Sequence, residues 1–406
     1  MIPGDRNLLL RLLDLPTAGP LETTGEVRLW DAMRAYADAA IDIGFDVLRF
    51  AAPDPSVLDR PGVPLLLRET GPGFLACQPS LVLRIGPAAP AVLFNVHLDT
   101  VAPFEPAGFD GTRFVGRGAI DAKGPAVALL AGVRAALETE PTVGRDVGVL
   151  IQAVSGEEGG AMGTFGTRPL VEAGFHGELN IFCEPTGLRY LPRCSASMTA
   201  CVRVDGEDAI DDEPHRGHNA TVLLGFLAQH LADDLPKHGQ VCVAGLHTGR
   251  MHNRVYGQGE LLLNIPYDTG EAAAKMASAL EDALRTGIAA FEARFRRSPE
   301  FARTATDAAT ITGLRWLKRD LPALPAQDIP LLDAFVPRWP DDEPAFTCDA
   351  LWLAGVPGTK TAVLGPGSLG ANNAHSRGEY ADVEELDRFG DLVREIVVRF
   401  SRDGGA

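Results

Sequence analysis

The sequence predicts an α/β fold interrupted by an inserted domain of ferredoxin-like βαββαβ order. Three observations carry this. Strand-length apolar runs alternate with helical stretches over residues 1–194, and the chemically capable residues sit just after those runs. The texture then changes near Ser195, and the alternation returns late in the chain. At 406 residues, two domains are expected.

The opening stretch, MIPGDRNLLLRLLDLPTAG, has an apolar run broken by Asp5, Arg6, Arg11 and Asp14. It reads as an amphipathic helix ending before Pro16, not as a secretory leader. A helix over residues 27–43, stopped by Gly44, precedes the strand-like FDVLRFA. PSLVLRIG and AVLFNVHLDT are two further strands, the second nearly continuous in apolar residues, as burial on both faces requires. Residues 125–137, rich in Ala, Val and Leu, form a buried helix, and DVGVLIQAVS and ELNIFCEP add two strands. From Ser195 come the strand MTACVRVDG, a helix over 219–235, the strands QVCVAGLHTG and GELLLNIPYD, and a helix over 271–295. PEFARTAT is read as the strand that closes this unit. A proline-rich loop covers 321–344, GTKTAVLGPGSLG resumes the α/β pattern, and a last helix runs from 383 to about 400. The expected layout is one domain made of 1–194 and 305–406, with 195–304 inserted between its parts.

A formal net charge of −17 argues against a nucleic-acid partner, because phosphate binding needs Lys and Arg to release counterions. No stretch reaches the roughly 18–20 apolar residues that span a bilayer. The six cysteines are scattered without a CxxC pair, which fits reduced, mostly buried thiols. A cytoplasmic protein with no membrane contact is expected.

Five short segments carry the chemistry: His97 in NVHLDT, Asp121 in GRGAIDAKG, Glu157 and Glu158 in SGEEGG, Glu184 in CEPT, and His375 in GPGSLGANNAHSRGEY. Two imidazoles and three carboxylates suit two zinc ions and leave one carboxylate to work on water. Asp99, two residues after His97 on the same strand face, is placed to hold the second nitrogen of a metal-bound imidazole. Of the adjacent Glu157 and Glu158, one can bind metal while the other takes a proton. Glu184 follows an apolar strand and precedes Pro185, so its carboxylate needs a partner. Each signal alone is weak; five at comparable strand ends are not.

These motifs resemble those of the dinuclear zinc hydrolases that include acetylornithine deacetylase, succinyl-diaminopimelate desuccinylase, aminoacylase, carboxypeptidase G and several dipeptidases. The resemblance covers nearly the whole chain. It implies a phosphorylase/hydrolase-like zinc-peptidase catalytic domain with a ferredoxin-like lid and dimerisation domain. It also implies that His97 and Glu184 bind one zinc, Glu158 and His375 the other, and that Asp121 bridges them ahead of a cis peptide bond to Ala122. Glu157 would be the general base and Asp99 the orienter of His97. Cobalt and manganese are alternatives to zinc. GRGAIDAKGP further resembles the version in lysine-biosynthesis deacylases that release an amino acid from a carrier protein.

The chain departs from that family in its inserted domain. The histidine expected four residues after Gly206 is Ile210, which cannot donate a hydrogen bond to an oxyanion. Pro266 stands where an arginine is expected. His215, His218, His252, Asn253 and Arg254 are the substrate-binding candidates that remain, with Arg250 a further source of charge. The reading is a homodimeric two-zinc amidohydrolase acting on a small N-acyl amino acid or dipeptide-like amide, free or on a carrier protein. A dipeptidase or carboxypeptidase is the alternative, and a metal-binding protein without activity is another.

Overall fold

A computed structural model of the chain describes residues 1–403. They divide into two compact units. One comprises Met1–Val63, Leu67–Cys194 and the chain from Leu324 onward; the other comprises Ser195–Ala323 with Pro64–Leu66.

The first unit is built on a six-stranded mixed sheet. Its strands lie in the order Asp46–Ala51, Ser80–Ile85, Gly148–Val154, Ala91–His97, Leu179–Phe182 and Lys360–Val363. The first two pairings are antiparallel and the last three parallel. Every residue of Ala91–His97 and Gly148–Val154 is buried, which explains why these strands read as continuous apolar runs. The helices Pro3–Leu13, Leu29–Ile41, Lys123–Thr139 and Val383–Arg402 contribute to one hydrophobic core with the sheet. Lys123–Thr139 and Val383–Arg402 touch backbone to backbone: a Cβ at Gly132 would lie 2.5 Å from the Gly390 carbonyl oxygen, so only glycine permits the approach.

The second unit is an antiparallel sheet in the order Cys242–His247, Gln258–Tyr267, Ala196–Asp205 and Thr312–Lys318. The helices Ala220–Asp234 and Gly270–Phe295 connect its strands. The element order is βαββαβ with an extra helix before the last strand. The closing strand is not PEFARTAT. Residues Ala302–Ile311 are helical and bury Thr304, Ala305 and Ala308 at helical spacing, and the strand Thr312–Lys318 follows directly. The unit therefore runs to Ala323, not to 304, because its fourth strand lies beyond the expected boundary. Among the described residues, no helix is long and apolar enough to cross a membrane.

Candidate metal centre

The parallel register of the central strands brings three chain segments to one level. His97 pairs with Val154, so Glu157 and Glu158 begin the turn just past the neighbouring strand end. Asn95 pairs with Phe182, which sets Glu184, two residues on, level with His97. Parallel strands end in the same direction, and an open α/β sheet gathers functional groups at their carboxyl ends.

Asp121 lies at the centre of the cluster. Its Oδ1 is 2.9 Å from His97 Nε2, and its Oδ2 is 3.1 Å from His375 Nε2. His375 Nε2 is also 3.0 Å from Glu158 Oε1, and His97 Nε2 is 3.9 Å from Glu184 Oε1. All five residues expected to bind metal are thus brought together from one strand end and four loops. The donor atoms of His97, Asp121 and Glu158 lie within 4.8 Å of one another. The peptide bond from Asp121 to Ala122 is cis.

The tautomer of His97 decides what this cluster wants. Its Nδ1 lies 3.0 Å from the Asp99 carbonyl oxygen, where an N–H donates. Nε2 then presents a lone pair to the oxygens of Asp121 and Glu184, an arrangement that needs a proton or a cation between them. The donor set of neutral imidazoles and carboxylates is that of a zinc site, so these residues fit the ion. In the metal-free chain a proton fills the role. Burial alone would lower the His97 pKa, but hydrogen bonding to Asp121 and Asp99 holds it well above its ordinary value.

Asp99 does more than the sequence suggested, and partly by a different route. Its backbone carbonyl, not its carboxylate, is the nearer partner of His97; the carboxylate Oδ1 stands 3.7 Å away, buried and without a hydrogen bond. The other oxygen accepts from the backbone N–H groups of Gly156 (2.9 Å) and Glu158 (3.1 Å), fixing the turn that carries both glutamates.

The carboxylates crowd one another. Burial raises the Glu157 carboxyl well above the ordinary range, and neighbouring Glu158 and Glu184 add to it. Burial raises Glu158 as well, against its hydrogen bond from His375, and pushes Glu184 up to about 8 despite the opposing charge of His97. Hydrogen bonds to Asp121 and Glu158 hold His375 up at about 10. In the metal-free folded chain these groups keep protons that the unfolded chain releases. Stability therefore falls as pH rises from the ordinary glutamate value of 4.5 to about 8 for Glu184, and from 6.5 to about 10 for His375. Metal binding requires the same protons to leave. Calorimetry across roughly pH 5–9 is expected to show the Tm of the metal-free chain falling and the gain in Tm on adding Zn2+ widening. A metal-free Tm that rises over that range would contradict this.

Four charged residues of the site were not singled out from the sequence, although Arg117, Lys123 and Glu379 lie inside quoted motifs. Arg117 and Glu379 form a buried pair beneath the Asp121 turn. Lys123 is buried with its Nζ donating to the Leu15 carbonyl oxygen (3.0 Å), and burial lowers its pKa to about 7. Asp349 is buried and accepts from Thr167 Oγ1 (2.5 Å); burial raises its pKa to about 7, with the Asp99 charge contributing. For Lys123 the available signal was its place at the head of an apolar helical run; the Arg117–Glu379 pair and Asp349 had no local signal.

The substrate-binding candidates all belong to the second unit. His218 is buried with both ring nitrogens engaged: Nδ1 accepts from Glu207 N–H (2.8 Å) and Nε2 is 3.2 Å from Asp307 Oδ2. Both partners belong to its own unit, so it is committed there. His215, His252 and Asn253 are exposed, and Arg254 pairs with Asp208. Ile210, 57% exposed, faces Arg254 across a two-stranded ribbon.

Residues 93–399 match the model of peptidase family M20/M25/M40. The chain is 32% identical over 232 residues to a succinyl-diaminopimelate desuccinylase of Gluconobacter oxydans, covering 51% of this chain and 59% of that one. It is 30% identical over 258 residues to a putative LysW-lysine/LysW-ornithine hydrolase of Aeropyrum pernix, covering 61% and 69%. The aligned region thus spans less than two thirds of the desuccinylase. An M20-family metallo-carboxypeptidase of Sulfolobus solfataricus shares the fold with a TM-score of 0.71 at 12% identity, over 99% of this chain and 100% of that one. A di-peptidase of Saccharomyces cerevisiae does so with a TM-score of 0.66 at 13% identity, over 98% and 96%.

Proposed function

Because the chain belongs to peptidase family M20/M25/M40, we propose that it is a dinuclear zinc hydrolase that cleaves the amide bond of a small N-acyl amino acid or dipeptide-like substrate. The observation that carries this is the single Asp121 carboxylate facing two imidazole Nε2 atoms, one through each oxygen. In this reading Asp121 is the shared ligand, His97 and Glu184 complete one position, and Glu158 and His375 complete the other. Cobalt or manganese would suit the same donors.

When bound, the two ions would lower the pKa of a water and polarise the scissile carbonyl. The chain's own residues do the rest. Glu157 accepts the proton of the attacking water on its carboxylate and delivers it to the leaving amine nitrogen. Asp99 holds His97 through its carbonyl oxygen and holds the Glu157–Glu158 turn through Oδ2, so base and ligand keep their relative places. The second unit, of βαββαβ order, is assigned as the lid and dimerisation domain. Ile210 supplies no donor there, so Arg254, His215 or His252 is left to meet a substrate carboxylate or carbonyl.

The dimer is placed on the strand Cys242–His247, which lies at a sheet edge and exposes Val243 and Leu246. An open, apolar edge is a template for pairing with a second copy. Lysine at both positions is expected to turn a dimer into a monomer in sedimentation. A wild-type chain that sediments as a monomer would count against the assignment.

Substrate class is tested with a panel of N-succinyl and N-acetyl amino acids, dipeptides and carrier-linked lysine, each with and without added Zn2+. Metal-dependent release of an amino acid from an acylated substrate is expected. Preference for dipeptides would move the reading to the peptidase branch. No hydrolysis of any substrate by the metal-loaded chain would favour a metal-binding protein without activity, against the retention of Glu157.

A further inference from the structure

Arg117 and Glu379 are 262 residues apart and almost fully buried, at 1% and 0% exposure. Arg117 Nη1 donates to Glu379 Oε2 at 2.8 Å. A buried ion pair is a weak source of stability, since desolvation offsets much of the attraction. What distinguishes this pair is where its remaining bonds go. Glu379 Oε1 accepts the backbone N–H groups of Ile120 (3.1 Å) and Asp121 (3.2 Å). Arg117 Nη2 donates to the carbonyl oxygen of Ser376 (3.1 Å), the residue after His375, and Nε donates to that of Pro103 (3.2 Å). Gly116 N–H closes the frame on the Glu379 carbonyl oxygen (3.0 Å).

His375 needs such a frame. Its φ is +62°, a left-handed conformation that costs a non-glycine residue energy and persists only where the surroundings enforce it. The hydrogen bond from Ser376 N–H to Asn373 O (3.0 Å) holds one side of the turn, and Arg117 holds the Ser376 carbonyl on the other.

We propose that the Arg117–Glu379 pair is a positioning device that clamps the Asp121 turn to the His375 loop and thereby sets the affinity of the ion held by Glu158 and His375. This rests on the two-ion reading given above. Glu379 acts through the Asp121 backbone and Arg117 through the Ser376 carbonyl; neither touches the reacting atoms. Loss of the clamp frees the Ser376 carbonyl beside His375, which serves one ion alone. His97 and Glu184 stay on their strand ends, and the Asp121 turn stays closed by Lys123 N–H on the Gly118 carbonyl oxygen (2.9 Å), so the ion on that side is less affected.

The test is a calorimetric titration of the metal-depleted, full-length chain with Zn2+. Wild type is compared with Arg117→Lys, Glu379→Gln, His375→Ala and the double variants, with circular dichroism as the folding control. Arg117→Lys retains a cation for Glu379 but cannot also span to the Ser376 and Pro103 carbonyls. Glu379→Gln retains the Oε1 acceptor and loses the charge. His375→Ala identifies the binding step that its imidazole supports. Both clamp variants are expected to weaken that step by about 10–100-fold. The other step should stay within about twofold, and in the His375→Ala background the clamp substitutions should add nothing. Wild-type binding of both ions in the clamp variants, equal weakening of the two steps, or full additivity with His375→Ala would overturn the proposal. If Arg117→Lys fails to fold, Glu379→Gln, closest in shape, decides alone. A wild-type chain that binds fewer than two ions would instead defeat the two-ion reading on which the proposal stands.

Discussion

Replacing Glu157 by glutamine is expected to lower kcat by about 10²–10⁴-fold, the usual contribution of a general acid–base group, while both metal equivalents are retained. The amide keeps the shape of the side chain and cannot take a proton from water. The structural basis is the environment of this carboxyl, where burial and the charges of Glu158 and Glu184 raise its pKa above the ordinary carboxylate value and so strengthen it as a base. Its neighbour should behave differently. Glu158 Oε1 meets His375 Nε2 at 3.0 Å, so Glu158→Gln should lose metal first and activity as a consequence. Steady-state kinetics and elemental analysis on the same preparations separate the two roles. A Glu157→Gln variant retaining more than about a tenth of wild-type kcat would remove general-base catalysis from this residue.

Asp121→Asn is expected to have the broadest effect. One carboxylate faces both histidines, and its pKa is held below the ordinary range because the hydrogen bonds from His375 and His97 outweigh its burial. The amide presents one acceptor and one N–H₂ group, so it cannot face both imidazoles as a ligand. Affinity for both ions should fall by at least about 100-fold, and hydrolysis should fall to background. Loss of one ion only, with the other bound as in wild type, would show that Asp121 is not shared.

Much of this site was legible because each of its residues follows an apolar strand or sits in a glycine-rich turn. His97, Glu157, Glu158 and Glu184 needed only the strand ends, and the parallel register then aligned them without further information. Asp121 and His375 were legible from resemblance more than from periodicity, since each is placed by a loop. The Arg117–Glu379 clamp was not legible. Both residues lie inside quoted motifs, but nothing local announces that a polar pair so far apart in sequence will be buried together. The fold of the second unit was readable up to its last strand. There, Ala302–Ile311 passes directly into Thr312–Lys318, and the glycine at the junction, Gly313, lies inside the strand instead of between the two elements, so no loop punctuates the change. The histidines of that unit carry the complementary lesson: His218 looked available in sequence and is bonded through both nitrogens within its own unit.

A metal count on the wild-type chain, depleted with a chelator and reconstituted with Zn2+, reaches the central claim most directly. Two equivalents per chain, with hydrolysis appearing as they bind, is the expected result. One equivalent or none in a chain whose fold is intact would contradict it.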